Sequence, residues 1–92
     1  MTRFVRSPGA LSRRVGGEVL LAAPGRGDID RLSDSAGAVW SLLDEPRTMP
    51  AVVGSLSEAY GIAPERIAAD VEALVDDLVR RGWVEEIAAG DG

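Results

Sequence analysis

The apolar residues of this chain change period once, between Leu32 and Ala36, and the change divides the chain into two kinds of structure. Upstream they read as short strands. From Leu11 to Val15 apolar and polar residues alternate, so that Leu11 and Val15 share a face with the stem of Arg13. Gly16-Gly17 is a two-residue hairpin signal, and Glu18 to Ala22 returns as a second strand. Pro24 to Gly27 turns the chain again, and Asp28 to Leu32 reads as a third strand. Downstream the spacing becomes helical. Ala36, Val39, Trp40 and Leu43 form one stripe, and Met49, Val52, Val53, Leu56 and Tyr60 form a second. Ile67, Val71, Leu74, Val75 and Leu78 form a third. Ser33 or Asp34 suits the cap of the first helix and Thr48 that of the second. Pro64 suits the opening turn of the third, while Gly61 and Gly82 stand where helices two and three should stop. Gly37 and Gly54, inside helices, are expected at close helix crossings.

The expected fold is therefore α+β, a three-stranded antiparallel meander followed by three α-helices (βββααα) with a winged-helix-like outline. Residues 1–10 read as an N-terminal arm, 11–87 as the folded domain and 88–92 as a disordered tail. Ninety-two residues suffice for one small core, and 46% hydrophobic with 27% charged residues is ordinary for a soluble domain.

Composition then removes whole classes of chemistry. The chain has no cysteine and no histidine. Disulfides, thiolate ligands, a cysteine nucleophile and the commonest general base go with them. Asp76-Asp77 and Glu85-Glu86 are examples of the carboxylate pairs available, and neighbours on a helix such as Asp76 and Asp77 point about 100° apart. They suit a solvated face better than a shared proton. No enzyme activity, metal or cofactor is expected. No apolar run approaches a membrane span, and no apolar region follows the basic residues of the N-terminus, so the expected location is the cytoplasm. Arg26-Gly27-Asp28 matches a tripeptide that adhesion receptors read, but such a receptor lies outside the cell and so short a motif recurs by chance.

The winged-helix outline raises DNA binding, in which the third helix would enter the major groove. Between Pro64 and Arg81 that helix carries Glu65, Asp70, Glu72, Asp76 and Asp77 against Arg66, Arg80 and Arg81, in a chain of net charge −5. Approach to a row of phosphates is opposed, and neither nucleic acid nor an anionic membrane is expected as partner. Trp40, Tyr60 and Trp83 read as core residues. The third strand, last of a meander, should lie at a sheet edge. Its charges fit two readings. They blunt the edge against unwanted pairing, or they border an edge that captures an extended peptide by strand addition.

The order and spacing of Leu32-Ser33, Ala36, Gly37, Trp40, Leu43, Leu56, Tyr60-Gly61, Ile67, Asp70-Val71, Leu74, Leu78 and Gly82-Trp83-Val84 resemble the family of the pyrroloquinoline-quinone biosynthesis protein D. The resemblance covers about residues 11 to 86. It implies a precursor-recognition element of ribosomal peptide natural-product pathways, which takes a leader peptide as a fourth strand along strand three. The implied contacts are Asp28, Ile29, Asp30, Arg31 and Leu32 on the strand, with Asp70, Leu74, Asp77, Leu78 and Arg81 on the third helix. The implied partners are a leader peptide and a modifying enzyme or leader peptidase. Many relatives carry an aromatic residue where this chain has Asp30 and Arg31, which points to a leader of complementary charge. A small acidic protein-interaction domain is the plainer alternative.

Overall fold

The computed structural model describes residues 1–88. The expected meander forms, as β2 (Leu11–Val15), β3 (Glu18–Ala22) and β4 (Asp30–Leu32), all antiparallel in the order β2-β3-β4. Val15 and Glu18 pair across Gly16-Gly17, with Gly16 at φ +62°, the left-handed backbone that a tight hairpin needs. Partners opposite each other share a face, so the register assigns the sides. Val19 pairs with Leu32 and Leu21 with Asp30, and these four face the helices. Leu20 and Arg31 face away. The third strand is shorter than expected, because Asp28 and Ile29 precede it. β3 hands over at Ala23 to a turn closed by the Arg26 N–H on the Ala23 carbonyl, which leaves no strand beside those two residues.

The N-terminal residues are not an arm. Thr2–Arg6 forms β1, which pairs with β5 (Arg47–Thr48) on one side and β6 (Val84–Ala88) on the other, giving a second antiparallel sheet. Phe4 joins the core, and the Arg6 guanidinium lies 4.8 Å over the Trp40 ring while its Nε donates to the Trp40 carbonyl at 3.0 Å. The backbone N–H of Ser7 donates to Trp83 O at 2.9 Å. Ala88, expected in the tail, ends β6; the rest of that expected tail, 89–92, lies outside the described residues.

Three helices follow in the expected order, α1 (Asp34–Leu42), α2 (Met49–Tyr60) and α3 (Pro64–Arg80). Thr48 caps α2, its hydroxyl accepting from the Ala51 N–H at 3.3 Å, whereas Ser33 stands at the cap of α1 without a side-chain bond. α3 ends in a paired reverse turn. Gly82, at φ +85°, donates to the Val79 carbonyl and Trp83 to that of Leu78, both at 3.0 Å. That turn folds Trp83 back under the helix, where it is 1% exposed. Trp40, Leu21, Leu43, Val75 and Leu78 complete the centre of the core.

The two helix glycines are not at helix crossings. A Cβ on Gly37 would stand 3.2 Å from Val19 Cγ2, so this glycine lets α1 lie close on β3. One on Gly54 would meet nothing within 4 Å. Tyr60 is not core either, being 53% exposed, because α2 runs past the elements that cover its earlier turns. No helix among the described residues is long and apolar enough to cross a membrane.

Candidate peptide-docking site

β4 is the last strand in its sheet and offers one backbone edge with no strand beside it among the described residues. On its helix-facing side Asp30 reaches the end of α3. Asp30 Oδ2 accepts from the Trp83 indole N–H at 2.5 Å and lies 3.7 Å from Arg81 Nη1. The other end of the Arg81 guanidinium holds Asp77 at 2.9 Å. Asp30, Arg81, Asp77 and Trp83 thus tie the start of β4 to the end of α3. The charge of Asp30 is answered inside the molecule. It is not a free anion awaiting a cation from a peptide.

Beyond Leu32 the chain enters α1, and there a hollow of about 330 Å³ opens between the helices. Ser35 and Val39 of α1, Leu56 and Tyr60 of α2, and Ile67, Asp70 and Leu74 of α3 face it. The edge of β4 therefore runs along α3 from the Arg81 end toward Asp70, with an apolar recess at the far end. An extended segment laid on that edge would find backbone partners first and a side-chain pocket after them.

The expected contacts other than Asp30 separate into four groups. Arg31 is the exposed member of β4, its side chain 72% accessible and 3.7 Å from Glu18. Asp70 and Leu74 line the hollow, and Asp77 and Arg81 form its charged approach. Leu32 and Leu78 are buried in the core, at 4% and 0% exposure, and have no surface to give a peptide. Asp28 and Ile29 stand outside the strand; Ile29 is 63% exposed. Tyr60, Ile62 and Ile67 were missed as contacts. A signal for two of them exists, since Tyr60-Gly61-Ile62 puts two large apolar side chains around a helix stop, where little structure is left to cover them.

Arg26, in the loop before β4, is used internally. Its guanidinium stacks 4.0 Å over the Trp83 ring and donates to the Arg81 carbonyl at 2.8 Å, closing the end of α3. The arginine of the Arg-Gly-Asp tripeptide is thus part of the scaffold. Among the described residues no group of three potential metal ligands is gathered.

The family model described as coenzyme PQQ synthesis protein D (PqqD) matches residues 18–84. Two solved structures share the fold. The structure titled "TbiB1 in Complex with the TbiA(beta) Leader Peptide" is 21% identical, with a TM-score of 0.78 over 88% of this chain and 94% of that one. The solution structure of the PqqD truncation of Methylobacterium extorquens PqqCD is 26% identical, with a TM-score of 0.73 over 90% and 88%. That relative is described as a functional, stand-alone recognition element for ribosomally synthesized and post-translationally modified peptides. No curated protein sequence matches this chain significantly.

Proposed function

This chain belongs to the PqqD family, and we propose that it is a non-catalytic module that recognises the leader segment of a ribosomally made precursor peptide. The leader adds to β4 as an antiparallel strand, and an apolar side chain enters the hollow bounded by Tyr60, Ile67 and Leu74. The module then presents the precursor to a modifying enzyme or leader peptidase in the cytoplasm. The observation that carries this reading is the unpaired edge of β4 lying beside that hollow. The M. extorquens relative, described as a stand-alone recognition element, supports it. DNA binding is disfavoured by the acidic balance of α3, which carries Glu65, Asp70, Glu72, Asp76 and Asp77 against Arg66 and Arg80.

Amide chemical-shift mapping with the leader of a precursor encoded beside this chain tests the reading. The largest shifts are expected at Asp30 to Ser35 and at Ile67 to Leu74. Shifts confined to the Asp44–Thr48 loop or the Gly16-Gly17 hairpin, with β4 silent, would overturn it.

A further inference from the structure

α3 carries a second candidate surface on its other flank. At about 100° per residue, the row Ala68, Glu72, Asp76 lies on roughly the opposite side of the helix from Asp70, Leu74 and Asp77. Two hollows, of about 330 and 390 Å³, meet there at Met49, Pro50 and Glu72 and form one trough. Met1, Phe4 and Met49 line one end of it, where Glu72, Asp76 and Glu86 also stand. The other end runs over Val53, Gly54 and Ala68.

Two features point to an occupant. The three carboxylates are exposed, and none has an ion-pair partner among the described residues, so the trough joins an apolar lining to net negative charge. Gly54 is the second. A glycine inside a helix weakens it relative to alanine, and here no turn, positive φ or internal contact accounts for one. Its bare backbone forms part of the trough, where a guest can approach the helix closely. Met1 and Met49 supply unbranched side chains that adapt to a guest's shape. The charge excludes nucleic acid and an anionic membrane as occupants.

We propose that this trough docks a second protein, through an apolar side chain of that protein flanked by arginine or lysine. Because it lies on the far flank of α3, it leaves β4 free, and one helix holds a peptide on one side and a protein on the other. The proposal rests on charge and shape at the trough and stands whatever β4 binds.

The probe is an acetylated, amidated nine-residue peptide of alternating leucine and arginine, compared with its leucine–glutamate counterpart. Both are titrated into the isotopically labelled chain. The leucine–arginine peptide is expected to shift the amides of Met49 to Gly54 and Ala68 to Asp76 and to leave Asp30 to Leu32 unmoved. A Cβ at Gly54 meets nothing within 4 Å, so Gly54→Leu should keep the fold and fill the trough, and binding should weaken about tenfold. The exposed double variant Glu72→Arg/Asp76→Arg should weaken it by a similar factor, with circular dichroism unchanged. Equal binding of the two peptides, undiminished binding to Gly54→Leu, or shifts spread over all acidic surfaces would overturn the proposal. So would trough shifts that grow with protein concentration alone, which would make a second copy the occupant.

Discussion

The sheet β2-β3-β4 has two edges, and they have opposite characters. β2 is exposed at all five positions, with Leu11 and Val15 at 63% and 52% and arginines between them. Among the described residues its one side-chain hydrogen bond to the helices is from Arg14 to the Ser41 hydroxyl at 3.0 Å. β4 is shorter, but its inward residues are fixed. Leu32 is core, and Asp30 is held by Trp83 and Arg81. Both edges present unpaired backbone, which a free strand could use equally well on hydrogen bonds alone. The difference lies in the second wall. β4 faces α3 and a hollow for side chains, whereas β2 faces solvent, and side-chain pockets are what make strand addition selective. A recognition edge therefore needs rigid backbone and a neighbouring helix together.

The largest perturbation removes that rigidity. Trp83→Ala deletes a core side chain, the surface on which Arg26 stacks and the donor to Asp30. It should cost about 3–5 kcal/mol in urea unfolding and carry β4 with it. Asp30→Ala comes next. It strips the Trp83 N–H of its partner and leaves Arg81 with Asp77 alone, and should cost about 1–3 kcal/mol. Arg13→Ala on the opposite edge should stay within about 0.5 kcal/mol of the parent. If the two substitutions destabilise equally, the contrast between a pinned and an unpinned edge is wrong.

This role of Asp30 shows where sequence reading reaches and where it stops. Elements defined by local pattern are legible. The meander, the three helices, the Thr48 cap and the Gly82 stop all follow from period and turn chemistry over a few residues. The second sheet is not. β1 carries one buried aromatic between arginines, and its partner β6 lies at the other end of the chain, so no local pattern announces the pairing. The candidate site divides in the same way. An edge strand beside a long amphipathic helix can be read from element order, and with the family resemblance it led to β4 and to Leu74. Which residues on them are free cannot, because Leu78 and Leu74 share one stripe and only tertiary packing buries the first and leaves the second at a hollow. Asp30 reads as an exposed charge until Trp83, 53 residues away, is seen to donate to it.

Binding should repeat the contrast between edges. Tyr60→Ala removes one wall of the hollow from a side chain that is already more than half exposed, so the fold should survive while leader affinity falls by about 2 kcal/mol, the scale of an aromatic anchor. Leu11→Ala, also at an exposed position, on β2, should leave affinity unchanged. Isothermal titration of the two variants against one leader peptide compares them directly. Loss of affinity in Leu11→Ala with Tyr60→Ala unaffected would move the docking edge to β2.

The smallest effect is electrostatic. Arg31 projects from β4 on the face turned away from the helices, and Glu18 at 3.7 Å offsets its charge only partly, because both side chains are well exposed. A leader strand on β4 would place its own outward residues beside Arg31, within reach of a charge on that face. Arg31→Glu should therefore weaken an acidic leader by about 1 kcal/mol or less, the scale of an exposed ion pair. Added salt should shrink that difference, because screening at about 0.15 M already acts over roughly 8 Å. Arg13→Glu, the same reversal on the outer face of β2, should leave leader affinity unchanged at every salt concentration. Stability separates binding from folding here. Neither arginine is buried, so both variants should unfold within about 0.5 kcal/mol of the parent. A salt-sensitive loss in Arg31→Glu with parental stability would assign the outer face of β4 to the leader. The same loss in both variants would show long-range attraction to the whole sheet face and no preference for either edge.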